Sequence, residues 1–183
     1  MVFLTKVQTG IERIVNMYDL DLNQIINKLD LIELPANRGY FKEIGVSKNR
    51  VNLGKLERYA TSIIYVLLCY KNISPFNKVI SDEIFNFCLG DPVEVFQITN
   101  EGNIIKKILG NNILHGENPC LFVNGNTWQA MRLTPGGQYA LLTATNSPSF
   151  DPLDFYMGKK NELINMFPTF SSIIAELSLD RNL

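Results

Sequence analysis

The chain has 183 residues, of which 46% are hydrophobic and 19% charged, and its formal net charge is -1. This length is sufficient for one domain with a hydrophobic core, and the composition is that of a globular chain rather than a disordered one. The near-neutral charge gives no electrostatic reason to expect a nucleic acid or an anionic membrane as a partner.

The three cysteines, Cys69, Cys88 and Cys120, are widely spaced and form no Cys-x-x-Cys pair. This spacing does not match a zinc site. Each cysteine lies in an apolar, strand-like run, so we expect buried free thiols, for which a reducing cytoplasm is suitable. Val2 to Leu4 begin no sustained apolar run, so we expect neither a signal peptide nor a membrane span.

The N-terminal part of the chain has helical spacing. Residues 1–19 are predicted to be a short leader, because apolar side chains recur at helical intervals: Ile11, Ile14, Val15 and Tyr18. Asp21 is a candidate N-cap for a second helix over Leu22 to Leu29. One domain is predicted to occupy residues 20–183, including the C-terminal helices.

The first strands follow a loop that ends at Gly39. Tyr40 to Val46 is predicted to be a strand, and residues 47–56 are polar and unpatterned, which indicates a loop or a short arm. Thr61 to Tyr70 is strongly strand-like because of its β-branched and aromatic residues.

The stretch from Glu83 to Leu89 alternates in a way that is typical of a strand. Glu83, Phe85, Phe87 and Leu89 share one face, which places a carboxylate on an aromatic face and requires either a partner or a solvated cavity. Gly90 to Pro92 end this strand with turn residues.

The rest of the chain predicts further short strands and a helical tail. His115, the only histidine, lies in a loop over residues 110–118. Helical spacing begins near Lys159 and ends at Pro168, and a last helix is predicted over Phe170 to Leu177. Strands recurring every ~8–12 residues indicate an all-β sandwich or barrel of jelly-roll type. The remaining predicted strands are Val93–Ile98, Ile104–Leu109, Pro119–Val123, Thr127–Leu133, Tyr139–Thr145 and Leu153–Met157.

Several segments, in order, resemble the cupin superfamily, and within it a single-domain cupin-like family of unknown function. The resemblance implies a double-stranded β-helix, that is, a jelly-roll barrel with flanking helices at the N- and C-termini. The matching segments are Gly39–Glu43, Thr61–Tyr65, Phe76–Val79, Ser81–Phe87 with Gly90–Pro92, Gly125–Ala130, Tyr139–Leu142, and Ser147–Asp151 with Asp154–Phe155.

The metal ligands of the general cupin pattern are mostly replaced. Carried over residue by residue, the three histidines fall on Asn77, Val79 and Trp128, and only the glutamate remains, as Glu83. A transition-metal site needs several converging N, O or S ligands, so we expect neither a metal nor another cofactor. His115 is expected to be a surface residue.

Alternation identifies a candidate interior site. If Glu83 points inward, so do Phe85 and Phe87. The resemblance adds Trp128, Ala130 and Arg132 to the inner face, with Asn77 and Val79, whereas alternation turns Gln129 the other way. The candidate catalytic residues are Glu83 and Tyr65, and the candidate ligand-binding residues are Tyr40, Asn77, Phe85, Phe87, Trp128, Gln129, Arg132 and Tyr139.

These residues favour a small organic ligand, which Arg132 would hold by a carboxylate or phosphate while Glu83 moves a proton. The resemblance allows a metal-independent isomerase or epimerase. The alternatives are a binding protein without catalysis, as the missing histidines would allow, and a metal-dependent cupin with atypical ligands. Separately, Glu83 and Arg132 could simply neutralise one another as a structural ion pair. A homodimer is expected from the resemblance and from exposed strand edges.

Overall fold

A computed structural model describes residues 21–54 and 56–179, without the side chains of Leu53 and Leu56. The chain divides into two compact units, up to Leu31 and from Ile32 onward. In the first unit, helix α1 spans Leu22–Lys28, and the Asp21 carboxylate caps it by accepting a hydrogen bond from the Asn23 amide at 3.1 Å. The predicted cap is therefore confirmed. The predicted leader lies outside the described residues, and the domain boundary after it stays a prediction.

The described residues of the second unit form thirteen strands in antiparallel sheets. A six-stranded sheet has the order β1-β2-β5-β12-β7-β10, a five-stranded sheet has the order β13-β6-β11-β8-β9, and β3 pairs only with β4. This architecture confirms the all-β jelly-roll prediction. The strands are β1 Ile32–Glu33, β2 Tyr40–Val46, β3 Arg50–Leu53, β4 Leu56–Tyr59, β5 Ser62–Cys69, β6 Ile73–Lys78, β7 Asp82–Gly90, β8 Val93–Ile98, β9 Ile104–Leu109, β10 Cys120–Val123, β11 Trp128–Leu133, β12 Tyr139–Ser147 and β13 Tyr156–Met157.

Short helices follow the sheets. Helix α2 spans Lys160–Met166 and helix α3 spans Ser171–Glu176, as the helical spacing of the tail predicts. Single 3-10 turns occur at Ile113–His115, Pro152–Asp154 and Pro168–Phe170. Of the helices in the described ranges, none has the length and apolar character that a bilayer span requires.

Two predictions about local structure were wrong. Of the two possibilities predicted for the polar stretch over residues 47–56, the loop was wrong, because the stretch contains β3 and the start of a hairpin with β4. Its contacts are polar across the strands: the Arg50 guanidinium lies 4.4 Å from the Tyr59 ring centroid and 3.0 Å from the Glu57 carboxylate. Such a hairpin has no apolar alternation for a sequence pattern to reveal. The predicted strand from Leu153 begins with a 3-10 turn instead.

The space between the two large sheets holds one apolar cluster. Strand residues of alternating position point into it and pack against one another. Its members are Leu68, Phe85, Val93, Val95, Leu109, Leu121, Val123, Met131, Leu133, Ala140, Leu142 and Ala144, with Ile64, Val66 and Phe87 packed against them.

A second apolar cluster covers the outer face of the five-stranded sheet. Residues of β6, β8 and β11 pack there against α2 and α3, so β8 and β11 are buried on both faces. The buried members are Phe76, Phe96, Ile98, Ala130, Leu163, Ile174 and Leu177, and Trp128 packs against them.

The cysteine prediction was only partly right. All three thiols are free, but Cys88 and Cys120 are exposed and Cys69 is partly buried. Phe85 and Phe87 point into the interior cluster, so Asn86, which lies between them on β7, points to the outer side of the sheet. Cys120 is directly opposite Asn86 on the neighbouring strand. Cys88 and Cys120 therefore lie in apolar runs but on the outer side of the sheet.

Candidate functional site

A group of polar side chains lies in the interior beside the apolar cluster. On the six-stranded sheet, Glu83 of β7 is directly opposite Asn146 of β12. On the five-stranded sheet, Gln129 of β11 is opposite both Asn77 of β6 and Gln97 of β8. We call these five residues the interior polar cluster; all of them are buried.

Glu83 joins the two sheets within this cluster. One carboxylate oxygen accepts a hydrogen bond from Asn146 Nδ2 at 3.2 Å, and the other accepts one from Gln129 Nε2. Only 9% of Glu83 is exposed, and this burial raises its pKa from 4.5 to about 7, although the hydrogen bonds from Asn146 and Gln129 oppose the shift. Glu83 can therefore exchange a proton near neutral pH.

The other side of the cluster has two buried polar atoms without partners. Gln129 Oε1 and Gln97 Nε2 have no hydrogen-bond partner among the described residues, and the two residues are 3% and 7% exposed. Leaving such groups unpaired costs roughly 1–3 kcal/mol each. One unpartnered acceptor and one unpartnered donor, on directly opposed residues, are what a small polar guest could bind.

The prediction that Phe85 and Phe87 share the inner face with Glu83 is confirmed, since both pack in the interior cluster. Leu89 does not share this face. The register between β7 and β12 shifts after Phe87, so that Leu89 pairs with Leu141 rather than with an interior residue.

The predicted inward face of β11 was wrong. Trp128 and Ala130 pack in the outer cluster, and the interior side carries Gln129 with the apolar Met131. Trp128 instead contacts the Lys78 ammonium, which lies 4.8 Å from the centroid of its ring. Gln129, which alternation had turned outward, thus lies next to Glu83.

Arg132 is not part of the interior site. Its Nε donates to the buried Glu94 carboxylate at 2.6 Å, and its Nη1 donates to Glu176 of α3. Lys106 donates to the other Glu94 oxygen at 2.8 Å. The pKa of Glu94 is lowered, because hydrogen bonds and charges from Lys106 and Arg132 outweigh its desolvation. The alternative that Glu83 and Arg132 form an ion pair is therefore wrong.

We expect Arg132→Ala to lower the free energy of unfolding by about 1–2 kcal/mol, because it removes hydrogen bonds to a buried carboxylate. The same change should raise the pKa of Glu94, because it removes one of the two cationic partners that Glu94 has among the described residues. Urea denaturation and carboxyl NMR titration would measure the two effects. Unchanged stability together with an unchanged Glu94 pKa would contradict this structural role.

The three candidate tyrosines also lie outside the interior. Tyr65 is opposite Thr143, and it alternates with the interior residues Ile64 and Val66. By the same alternation Tyr40, opposite Leu67, and Tyr139, opposite Cys69, have outer-facing positions. Tyr65 therefore cannot act on the same guest as Glu83.

Asn77 is in the interior by register but is held by its own strand. Its Nδ2 donates to the Pro75 carbonyl at 2.8 Å. Of the predicted site residues, the structure thus brings together Glu83, Gln129 and Asn77, with Phe85 and Phe87 on the same side.

Two interior residues, Gln97 and Asn146, were not predicted. Each continues a set of inward apolar residues: Gln97 follows Val93 and Val95, and Asn146 follows Ala144. A polar residue at the end of an inward apolar series was the signal that could have identified both.

The residues present do not fit the metal that the cupin pattern implies. Within residues 21–54 and 56–179, no three His, Cys, Asp or Glu side chains are close enough to hold a metal ion. The groups that contact Glu83 are amide N–H donors, which are not metal ligands. His115 is exposed, and its Nδ1 lies 2.8 Å from Asn112 Oδ1.

Solved structures share this fold. A hypothetical protein from Leishmania major has a TM-score of 0.81 and 23% identity, covering 87% of this chain and 99% of that one. A protein from Shewanella oneidensis has a TM-score of 0.79 and 24% identity, covering 87% and 98%. Oxalate decarboxylase from Bacillus subtilis has a TM-score of 0.50 and 13% identity, covering 81% and 37%. These identities show the fold alone.

A search of curated proteins found no match. The family model described as Cupin superfamily (DUF985) matches residues 23–158, so this chain belongs to that family of cupins.

Proposed function

We propose that this cupin binds a small polar molecule at the interior polar cluster and moves a proton on it, as a metal-independent isomerase. The observation that carries the proposal is the buried Glu83 carboxyl beside the unpartnered groups of Gln97 and Gln129. A carboxyl with a pKa of about 7 is populated in both protonation states near neutral pH, which general acid–base catalysis requires.

The proposed reaction uses one acid–base group. The Glu83 carboxylate removes a proton from the carbon next to a carbonyl, and the carbon–hydrogen electron pair forms an enolate. When that carbon carries a hydroxyl group, the hydroxyl proton passes to the enolate oxygen. The protonated Glu83 then returns its proton to the former carbonyl carbon, and the electron pair of the carbon–carbon double bond forms this new carbon–hydrogen bond while the carbonyl forms on the neighbouring carbon. Gln97 Nε2, a buried donor without a partner in the described part of the chain, supplies a hydrogen bond to the oxygen where negative charge develops.

This arrangement favours isomerisation over epimerisation. Inversion at one carbon is simplest with a second acid on the opposite side of the substrate, and Tyr65, the predicted second group, faces away from the interior. The side chains that hydrogen-bond Glu83, Asn146 and Gln129, are amides that do not titrate. A single group that removes and returns the proton is consistent with this set.

Hydrogen–deuterium exchange tests the proposal without knowledge of the natural substrate. We expect the protein to speed deuterium incorporation from heavy water into the carbons next to the carbonyl of glycolaldehyde or dihydroxyacetone, measured by proton NMR. Glu83→Gln should lower the protein-dependent rate about a hundredfold, because it removes the base. Glu162→Gln, an exposed change on α2, is the matched control and should leave the rate unchanged.

Addition of EDTA should also leave the exchange rate unchanged, as a metal-independent reaction requires. Exchange that persists in Glu83→Gln, or that EDTA abolishes, would contradict the proposal. Binding of these carbonyl compounds without any exchange would favour the alternative of a cupin that binds a ligand without catalysis.

A further inference from the structure

Among its five residues, the interior polar cluster has one ionisable side chain, the acidic Glu83. Apart from Glu83, its members are amides, which are neutral at every pH at which the protein folds. Glu83 is held by two amide donors and no basic side chain hydrogen-bonds it among the described residues. An ionised Glu83 therefore presents an uncompensated negative charge to any guest.

The basic residues in the two large sheets lie elsewhere. Lys42 is opposite the outer-facing Tyr65, Lys78 lies over the outer-facing Trp128, and Lys106 and Arg132 both bind Glu94. Lys107 has an interior register position, opposite Val95, but it is exposed on β9 at the edge of the five-stranded sheet. No described strand of these sheets places a buried cation on the interior side.

We infer that the interior site selects uncharged, amide- or hydroxyl-bearing molecules and rejects carboxylates and phosphates of the same shape. This inference rests on the proposed function, since it concerns the guest of the same site. It reverses the prediction that Arg132 holds an acidic group of the ligand. A neutral guest can accept from Gln97 Nε2 and donate to Gln129 Oε1, whereas an anion can only accept and is repelled by Glu83.

Acetamide and acetate provide an isosteric pair of probes. Each would be titrated into the full chain labelled with nitrogen-15, and the side-chain amide signals of Gln97, Gln129 and Asn146 would report binding. At about pH 9, where Glu83 is ionised, we expect acetamide to shift these signals saturably and acetate to bind at least about tenfold more weakly. Near about pH 6 the difference should shrink, because Glu83 becomes mostly protonated while acetate stays ionised.

Glu83→Gln removes the charge and keeps the shape of the side chain. We expect the difference between the two probes at about pH 9 to fall below about threefold in this variant. Glu162→Gln removes one exposed charge on α2 and should leave the difference unchanged.

Acetate binding as tightly as acetamide to the wild-type chain would overturn the inference, and so would the absence of signal shifts with either probe. A probe difference that persists in Glu83→Gln would also overturn it, because the repulsion would then come from another group. Saturable acetamide binding without deuterium exchange on carbonyl compounds would defeat the proton transfer but leave the selectivity standing.

Discussion

We expect Glu83→Gln to be more stable than the wild-type chain at about pH 8, and this advantage to disappear progressively as the pH falls toward about 4.5. The physical cause is the burial of Glu83, which raises its pKa from 4.5 to about 7 in the folded state. Between these two values the folded chain binds more protons than the unfolded chain, so stability falls as the pH rises. Above the folded-state pKa the full cost of the buried charge is present.

The size of the effect follows from the pKa shift. One pKa unit corresponds to about 1.4 kcal/mol, so the stability difference between the two proteins should change by roughly 3 kcal/mol between about pH 4.5 and about pH 8. Urea denaturation across this range measures it.

The glutamine should be accommodated without an unpaired group. The carbonyl oxygen of the new glutamine can still accept from Gln129 Nε2, and rotation of the Asn146 amide can present its oxygen to the new N–H donor at residue 83. Glu162→Gln is again the matched control, because Glu162 is exposed and its ion pair with the equally exposed Lys159, at 3.1 Å, lies on the surface. A stability difference that does not depend on pH, or a wild-type chain that is the more stable at about pH 8, would contradict the buried charge.

The sequence predicted the strands that have one apolar face. Glu83, Phe85 and Phe87 were placed correctly because β7 alternates between a packed inner side and a more exposed outer side. The same reasoning failed on β11, where every residue is buried or half-buried. A strand covered on both faces has no polar side from which its orientation can be inferred.

This error changed which residues of β11 were predicted to lie beside Glu83. The resemblance selected the Trp128 side of β11 as the inner side, which placed Arg132 on the same face as Glu83 and suggested an anion-binding pocket. In the structure the outer side of β11 is covered by α2 and α3, and this cover explains why Trp128 and Ala130 are apolar. Arg132, at the end of this side, pairs with Glu176 of α3, a long-range contact that no local pattern could reveal.

At the end of β7, we expect one added methyl group to have a large effect on stability. Gly90 has a φ of +98° and pairs with Ala140 of β12. A Cβ at this position would collide with the Tyr139 carbonyl oxygen and would lie 3.0 Å from the Ala140 Cα, and both groups belong to backbone that cannot move independently of the sheet. The turn residues Gly90 to Pro92 were read from the sequence, but the close approach of β12 is visible only in three dimensions.

Gly90→Ala should therefore lower the free energy of unfolding by at least about 3 kcal/mol, which combines backbone strain at positive φ with a steric conflict against the sheet. Gly136→Ala separates the two causes. Gly136 has a similar φ of +90°, but nothing lies within 4 Å of the position that its Cβ would occupy. Gly136→Ala should therefore lower the free energy of unfolding only by the backbone strain, about 1–2 kcal/mol. Equal losses in urea denaturation of the two variants would show that the contact between β7 and β12 at Gly90 relaxes freely, and that the methyl group is not excluded by the Tyr139 carbonyl.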